Sequence, residues 1–299
     1  MVSAITGTAE SSLPRQARAS RGSLALRVAS GIVLVPFLLG VAYFGTPGTP
    51  GGVVYGVLIS AACAYAAFEL RGMLRAGGYK PLAGLLVGLS VLLPLDAWLR
   101  PSLDVWSVAP DGILLVEIGV ILGLVALLVR RSTERALVDW ALSLGLALYL
   151  GGLMQFYMPL RRVPSEIPGF WVIALLVLSW VCDSSAYFVG GAFGRIRLAP
   201  GISPAKSVEG ALAGLVGAAS VGAILGAVLG MPPVLIGGYG AAIGAATIVG
   251  DLVESLLKRQ TGVKDSGVLI PGHGGLLDRM DSLMFCAPIA VLYLHAFQA

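Results

Sequence analysis

Long apolar segments separated by short polar gaps make up most of the chain. A helix needs about 20 mostly apolar residues to cross a bilayer, and most of these segments are close to that length. They lack the strict alternation of apolar and polar residues found in strands of a transmembrane barrel, so the pattern predicts helices. We predict nine spans, at roughly residues 24–44, 52–70, 82–99, 112–129, 136–157, 170–190, 208–230, 233–257 and a short last one at 283–298.

The composition indicates a lipid environment for these segments. Hydrophobic residues make up 57% of the 299 residues and charged residues only 12%, against about 25% charged residues in a soluble domain. A soluble fold could not bury so much apolar surface, whereas lipid solvates it. Unpaired backbone groups in lipid cost several kcal/mol each, which again favours helices. The predicted fold class is an all-α integral membrane protein, a bundle of about nine transmembrane helices.

The distribution of positive charge predicts the orientation of this bundle. If the N-terminus is cytoplasmic, only three of the 20 Lys and Arg residues, Arg100, Arg161 and Arg162, lie on the outer side. Cytoplasmic loops of membrane proteins carry the excess of Lys and Arg, so the asymmetry predicts a cytoplasmic N-terminus. Residues 1–22 are polar and contain three arginines, and we predict that they form a disordered cytoplasmic tail.

Acidic residues gather near the predicted inner ends of the last four spans, whereas the first five spans supply mainly apolar residues. Seven of the 16 acidic residues lie there: Asp183, Glu209, Asp251, Glu254, Asp265, Asp278 and Asp281. We therefore predict an N-terminal transmembrane scaffold at 23–160 and a C-terminal catalytic transmembrane region at 161–299.

Two polar motifs come before the strongest one. Asp183 lies within an apolar run, where a carboxylate costs about 2.5–3.5 kcal/mol on insertion scales. Either a hydrogen bond that serves helix packing or a functional role would explain a carboxylate at this position.

In the loop 202–210, Ser207 is predicted to cap a helix, with Glu209 in the first turn. Lys206 beside that helix start is typical of an anion site, because free N–H groups and the helix dipole both favour phosphate.

The third motif, residues 250–282, is the densest in charged residues and glycines. Helical spacing brings one set of its side chains to a single face: Asp251, Glu254 or Ser255, and Lys258. Carboxylates suit Mg²⁺, often together with substrate phosphate oxygens, and cations neutralise the remaining phosphate charge. Each residue alone has a structural explanation, such as a membrane anchor for Lys258 or a helix cap for Asp278. Their density between two spans favours a site for a nucleotide and a divalent metal.

The string from residue 255 to residue 281 resembles the signature of the phosphatidate cytidylyltransferases, also called CDP-diacylglycerol synthases. The matching residues are Ser255, Lys258, Arg259, Lys264, Asp265, Ser266, His273, Gly274, Gly275, Asp278, Arg279 and Asp281. Residues 183–187 and the loop 203–210 also resemble that family, so the resemblance covers about residues 170–285. One position departs from it: Ala205 stands where the family usually has the first of two lysines, and Lys206 keeps the second.

The resemblance implies the reaction of CTP with phosphatidic acid to give CDP-diacylglycerol and pyrophosphate, a step of phospholipid biosynthesis. It implies Mg²⁺ as the cofactor and leaves room for a second, monovalent cation. The expected partners are CTP, phosphatidic acid and the lipid bilayer; a homodimer stays open, and no nucleic acid is expected. The active site is expected on the cytoplasmic side of the cell inner (plasma) membrane, in agreement with the charge distribution.

The resemblance also implies residue roles. The implied catalytic residues are Asp251, Asp278, Asp281 and Lys258, and the three aspartates are the implied metal ligands. The implied substrate-binding residues are Asp183, Ser203, Lys206, Arg259, Lys264, His273, Gly274, Gly275 and Arg279.

Four alternatives belong to other classes or reactions. A transporter would place its charges near the bilayer midplane, and an assembly protein would not need the motif of glycines, histidine and acids. A CDP-alcohol phosphotransferase would carry an Asp-Gly pair leading through Ala-Arg to two aspartates four residues apart, which has no counterpart in this sequence. A lipid or polyprenol kinase of related fold stays open.

Overall fold

Helices account for most of the residues that the computed structural model describes, which are 31–100, 112–130, 134–267 and 274–297. The predicted tail at 1–22 lies outside the described residues. In the first part of the chain the helices are α1 (Gly31–Phe44), α2 (Pro50–Ala76), α3 (Ala83–Leu99), α4 (Ile113–Arg130) and α5 (Ala136–Ala147). Helix α5 continues through a π-helical turn (Leu148–Gly152) toward α6 (Tyr157–Arg162). The second part contains α7 (Phe170–Phe193), β1 (Arg197–Ala199), β2 (Ser203–Ser207), α8 (Val208–Val228), α9 (Pro233–Thr261) and α10 (Leu277–Phe297).

Among the described residues, seven helical segments are long and apolar enough to cross a membrane. They are α2, α4, the continuous stretch Ala136–Arg162, α7, α8, α9 and α10. The apolar helices α1 and α3 are shorter. The protein is therefore a mostly helical, multi-pass membrane protein, as predicted, while the count of nine spans and the orientation remain predictions.

The last helix begins earlier than the predicted residue 283. It starts at Leu277 and runs for 21 residues, so Asp278 and Asp281 lie in its first turns. The charged residues 278, 279 and 281 lower the local hydropathy, and a hydropathy criterion therefore misses this part of the helix. Because it is helical, the two aspartates project from one face, three residues apart.

A short antiparallel hairpin, which the sequence pattern did not predict, connects α7 to α8. Arg197 on β1 pairs with Ser207 on β2. The Ser207 side chain accepts a hydrogen bond from the Gly210 N–H (3.2 Å), which confirms Ser207 as the N-cap of α8. Glu209, in the first turn, accepts hydrogen bonds from the N–H groups of Arg195 and Ile196 (both 3.1 Å). The carboxylate thus fastens the start of the hairpin to the helix.

The helices form two packed groups, one of α2 to α5 and one of α7 to α10. Small residues let the second group pack closely: a Cβ at Gly214 would lie 2.9 Å from the Cys182 carbonyl oxygen. Other glycines do not have this role, since a Cβ at Gly84 or Gly88 would meet nothing within 4 Å. Within the described residues, Gly84 and Gly88 therefore do not serve close helix packing, although their four-residue spacing is typical of it.

The two ends of the bundle differ in their polar contacts. At one end, Arg161 donates to the Tyr43 carbonyl oxygen (3.0 Å) and Arg162 to that of Ala97 (2.9 Å). These arginines satisfy free carbonyl groups at the C-terminal ends of α1 and α3. At the other end, which we call the polar end, the C-terminal parts of α2, α7 and α9 meet the hairpin and the start of α10. The predicted site residues that the structure describes lie at the polar end.

Candidate functional site

A single cavity of about 1720 Å³ connects the interior of the bundle with the polar end. Its apolar part is lined by α1, α2 and α7, with side chains such as Leu34, Phe37 and Ile59. Its polar part contains most of the charged residues singled out from the sequence. One continuous space therefore offers both an apolar wall and a charged wall.

Lys206 and Asp251 form an ion pair across this cavity. Lys206 comes from strand β2 and Asp251 from α9, so the pair ties the hairpin to the bundle. Both side chains remain partly accessible, at 25% and 35%. Asp183 on α7 faces the same space and interacts electrostatically with Asp251, Asp281 and Lys206. The carboxylate that was unexpected in an apolar run therefore borders a polar cavity.

Lys258 joins two carboxylates from different helices. It forms an ion pair with Glu254, one turn earlier on α9, and its Nζ donates to Asp278 Oδ1 on α10 at 3.0 Å. The Glu254 side chain is only 1% exposed and that of Asp278 only 7%. Buried charges of this kind require a partner, so the lysine offsets a cost that the two carboxylates would otherwise impose.

Asp278 also organises the loop that precedes α10. Its Oδ2 accepts hydrogen bonds from the N–H groups of Gly275 (2.8 Å) and Ser266 (3.1 Å). Gly274 has φ +83°, and a Cβ there would lie 2.6 Å from Asp278 Oδ2, so the close approach requires glycine. The Asp278 carboxylate is thus engaged by a lysine and by two backbone amides.

Asp281 is less engaged than Asp278. It accepts hydrogen bonds from the N–H and Oγ of its neighbour Ser282 (2.7 and 3.2 Å), and it lines the cavity. Within the described residues, no group of three His, Cys, Asp or Glu side chains is arranged to hold a metal ion. Mg²⁺ often takes only one or two carboxylates and completes its shell with water and substrate phosphate oxygens. Oxygen donors from Asp251 and Asp281 are compatible with that requirement.

The structure brings seven of the sequence-predicted site residues to the cavity wall: Asp183, Lys206, Asp251, Lys258, Asp278, Arg279 and Asp281. Five others do not line it: Ser203, Arg259, Lys264, Gly274 and Gly275. Of these, Arg259 donates from Nε to the Ile202 carbonyl oxygen (3.2 Å) and so contacts the hairpin turn. His273 lies outside the described residues.

Three residues at or near the site were not among the predicted site residues. Glu254 pairs with Lys258, and Arg197 lines the cavity from β1. Glu69 on α2 accepts hydrogen bonds from the N–H groups at the start of α10. Its signal in the sequence is weak, because Glu69 stands at the end of the predicted span 52–70, close to Arg71, where charged residues are expected. Its role depends on contacts with residues more than 200 positions away, which short-range patterns do not predict.

The fold and the cavity together define a class of protein: a multi-pass helical membrane protein whose cavity combines an apolar wall with paired carboxylates and cations at one end of the bundle. Comparison with known families agrees with this class. The model of the cytidylyltransferase family matches residues 25–297. The chain belongs to this family.

Curated relatives carry a more specific name. The phosphatidate cytidylyltransferase of Bacillus subtilis is 36% identical over 256 residues, which are 83% of this chain and 91% of that protein. The phosphatidate cytidylyltransferase of Synechocystis sp. is 34% identical over 253 residues, 75% of this chain and 83% of that protein. That of Haemophilus influenzae is 44% identical over 127 residues, 40% of this chain and 43% of that protein.

Proposed function

We propose that this protein is a phosphatidate cytidylyltransferase, which converts CTP and phosphatidic acid to CDP-diacylglycerol and pyrophosphate. The observation that carries the proposal is the single cavity, whose apolar wall is continuous with the charged wall at the polar end. Such a space suits a substrate with acyl chains and a phosphate monoester, next to a nucleotide triphosphate. The family and its named relatives support the same reaction.

In this reaction a phosphate oxygen of phosphatidic acid attacks the α-phosphorus of CTP. A new P–O–P bond forms, and the bond from the α-phosphorus to the bridging oxygen breaks, so that pyrophosphate leaves with the electron pair. A phosphate monoester has a second pKa near about 6, so the nucleophile is largely dianionic at neutral pH without a strong general base. The protein therefore has to position the two phosphates and offset their charge.

The cations at the cavity wall are suited to that task. Lys206 lies on β2 directly before the N-terminus of α8, where free N–H groups favour anions. Arg279 and Arg197 border the same space from α10 and β1, and charge-assisted hydrogen bonds from such groups are about twice as strong as neutral ones. We assign these three side chains to the phosphates of CTP and of the lipid.

Mg²⁺ is the proposed cofactor, and when bound it would screen phosphate charge. We propose Asp251, Asp278 and Asp281 as its ligands. The hydrogen bonds within the site favour Asp251 and Asp281 as the direct ligands, because Asp278 already accepts from Lys258 and two amides. A second, monovalent cation would lie near the same carboxylates.

The proposed setting is the cell inner membrane, with nine spans, the N-terminus in the cytoplasm and the polar end facing the cytoplasm. Two observations support this orientation. The short apolar helices α1 and α3 both have their C-terminal ends at the end of the bundle opposite the polar end. Arg161 and Arg162, counted from the sequence as outer residues, both lie at the end opposite the cavity charges. A homodimer is compatible with this arrangement.

The test is an assay with purified protein in detergent, phosphatidic acid and CTP labelled in either the α- or the γ-phosphate. Cytidylyl transfer puts the α-label into the lipid product and releases the γ-label as pyrophosphate. A lipid kinase would put the γ-label into the lipid, with diacylglycerol as acceptor. Transfer of the γ-label, or no labelled lipid with and without Mg²⁺, would overturn the proposal.

A further inference from the structure

A buried carboxylate from the first half of the chain holds the start of α10. Glu69 lies in the C-terminal half of α2 and is 8% exposed. Its Oε1 accepts from the Leu276 N–H (3.1 Å) and its Oε2 from the Leu277 N–H (2.8 Å). These contacts cross more than 200 residues of sequence. A carboxylate is favourable there, because the first N–H groups of a helix are unpaired and the helix dipole is positive at that end.

Glu69 and Asp278 share the same piece of backbone. Three consecutive N–H groups are divided between them: Gly275 donates to Asp278, and Leu276 and Leu277 donate to Glu69. Ser266 contacts both carboxylates, through its N–H to Asp278 (3.1 Å) and its Oγ to Glu69 (3.4 Å). A displacement of Glu69 would therefore move the segments that hold Asp278 in place.

Two glycines allow this close approach. A Cβ at Gly275 would lie 2.6 Å from both Glu69 carboxylate oxygens, and a Cβ at Gly267 would collide with Glu69 Oε1. Both contacts are far closer than an ordinary van der Waals contact, so the backbone on either side of residues 268–273 is fitted to this one side chain. Residues 268–273 themselves lie outside the described residues.

Glu69 does not line the cavity, although residues one to three turns earlier on α2 do. It therefore has no contact with a substrate held there. We propose that Glu69 is a positioning residue, which fixes the start of α10 and thereby the placement of Asp278 and Asp281 in the cavity. The inference deepens the proposed function and rests on it for its kinetic test, while the contact itself is testable without it.

The test uses Glu69→Gln in the full-length protein in detergent. The amide keeps the size of the side chain but loses the charge and one of the two acceptor oxygens. Hydrogen–deuterium exchange of a peptide covering residues 274–283 should become at least about tenfold faster at two amides, those of Leu276 and Leu277. A hydrogen bond to a charged group contributes about 1.5–3 kcal/mol. Without it, the start of α10 should hold Asp278 and Asp281 less firmly, so kcat should fall by roughly tenfold or more. The KM for CTP should change by less than about threefold, because Glu69 does not contact the substrate.

Ser60→Ala is the matched control on the same helix. Ser60 is buried, its Oγ has no hydrogen-bond partner among the described residues, and it does not line the cavity. Exchange at 274–283 and kcat should therefore both stay at the wild-type values. Unchanged exchange in Glu69→Gln would overturn the proposed contact. Faster exchange with unchanged kcat would overturn the positioning role.

Two further variants decide the case in which Glu69→Gln does not fold. Glu69→Asp keeps the charge but withdraws the carboxylate by one methylene, and Gly267→Ala displaces it without altering it. Both should show the same combination of faster exchange and lower kcat. If none of the three variants folds, the role of Glu69 is structural and the proposal is refuted. A wild-type protein that makes no CDP-diacylglycerol would instead refute the proposed function, and the exchange experiment would still decide the contact.

Discussion

Replacing Lys258 by methionine tests how far the polar end depends on one cation. Methionine keeps a long unbranched side chain but removes the charge that joins Glu254 to Asp278. These carboxylates are 1% and 7% exposed, so water replaces the lysine only poorly. Removing one partner of a buried ion pair costs about 3–5 kcal/mol. An unfolding entropy of about 2.1 cal/mol/K per residue over 299 residues corresponds to about 1.6 °C per kcal/mol, so Tm in detergent should fall by roughly 5–8 °C.

A second substitution separates the effect on stability from the effect on catalysis. In the double variant Lys258→Met/Glu254→Gln, one of the two unpaired charges is gone, and we expect at least half of the lost Tm to return. Activity should stay low if Lys258 also contacts phosphate and should return with the Tm if it only neutralises the carboxylates. Glu254→Gln alone is the control. A Lys258→Met protein within about 2 °C of the wild-type Tm would show that the ion pairs do not carry this stability.

Three further predictions concern the other parts of the site. Lys206→Ala should lower kcat/KM by about 10- to 150-fold, since a hydrogen bond to a charged group contributes about 1.5–3 kcal/mol, whereas Ala205→Lys should have little effect. Steady-state assays that vary CTP and phosphatidic acid separately check this, and wild-type rates for Lys206→Ala in both would mean that the hairpin is only a connector. Asp281→Asn should remove most activity in a Mg²⁺ titration and leave Tm nearly unchanged. The matched variant Asp96→Asn should be active, because Asp96 does not line the cavity and its partner Arg100 is 46% exposed, which makes the pair weak. Near wild-type turnover of Asp281→Asn at every Mg²⁺ concentration would contradict the metal assignment. Cysteines introduced at the polar end should resist a membrane-impermeant thiol reagent added to intact cells, whereas Glu166→Cys should react. The native cysteines are buried and should not interfere. Labelling of the polar end from outside would show that the proposed orientation is wrong. Suitable positions lie in 71–80, 130–135, 191–207 and 258–280.

Local sequence determined the elements that depend on short-range periodicity. Apolar runs of sufficient length predicted the helices, because lipid leaves a backbone few other ways to satisfy its hydrogen bonds. The Ser207 cap and the one-turn pairing of Glu254 with Lys258 also follow from short spacings, since helix geometry fixes which residues share a face. The density of charges at 250–282 was enough to locate the polar end.

The predicted start of the last span is wrong, because charged residues lower the hydropathy of a segment that is nevertheless helical. Asp278, Arg279 and Asp281 read as a loop before the last span, yet they form the first turns of α10. The helix can start there because Glu69 accepts hydrogen bonds from the N–H groups of Leu276 and Leu277, while Asp278 accepts one from Gly275 just before the helix. One of these acceptors comes from another helix, so the local sequence does not contain the reason for the boundary.

The sequence by itself determined that the chain spans a membrane, and its resemblance to the phosphatidate cytidylyltransferases implied the reaction and the candidate site residues. Only the tertiary structure decided which of them act together: that Lys206 pairs with Asp251, that Lys258 joins Glu254 to Asp278, and that Glu69 reaches the start of α10. The physical reason is sequence distance. A helix repeats every 3.6 residues, so residues one turn apart are always neighbours. A contact between α2 and α10 depends instead on how two packed groups of helices meet, and that geometry results from the packing of many side chains together.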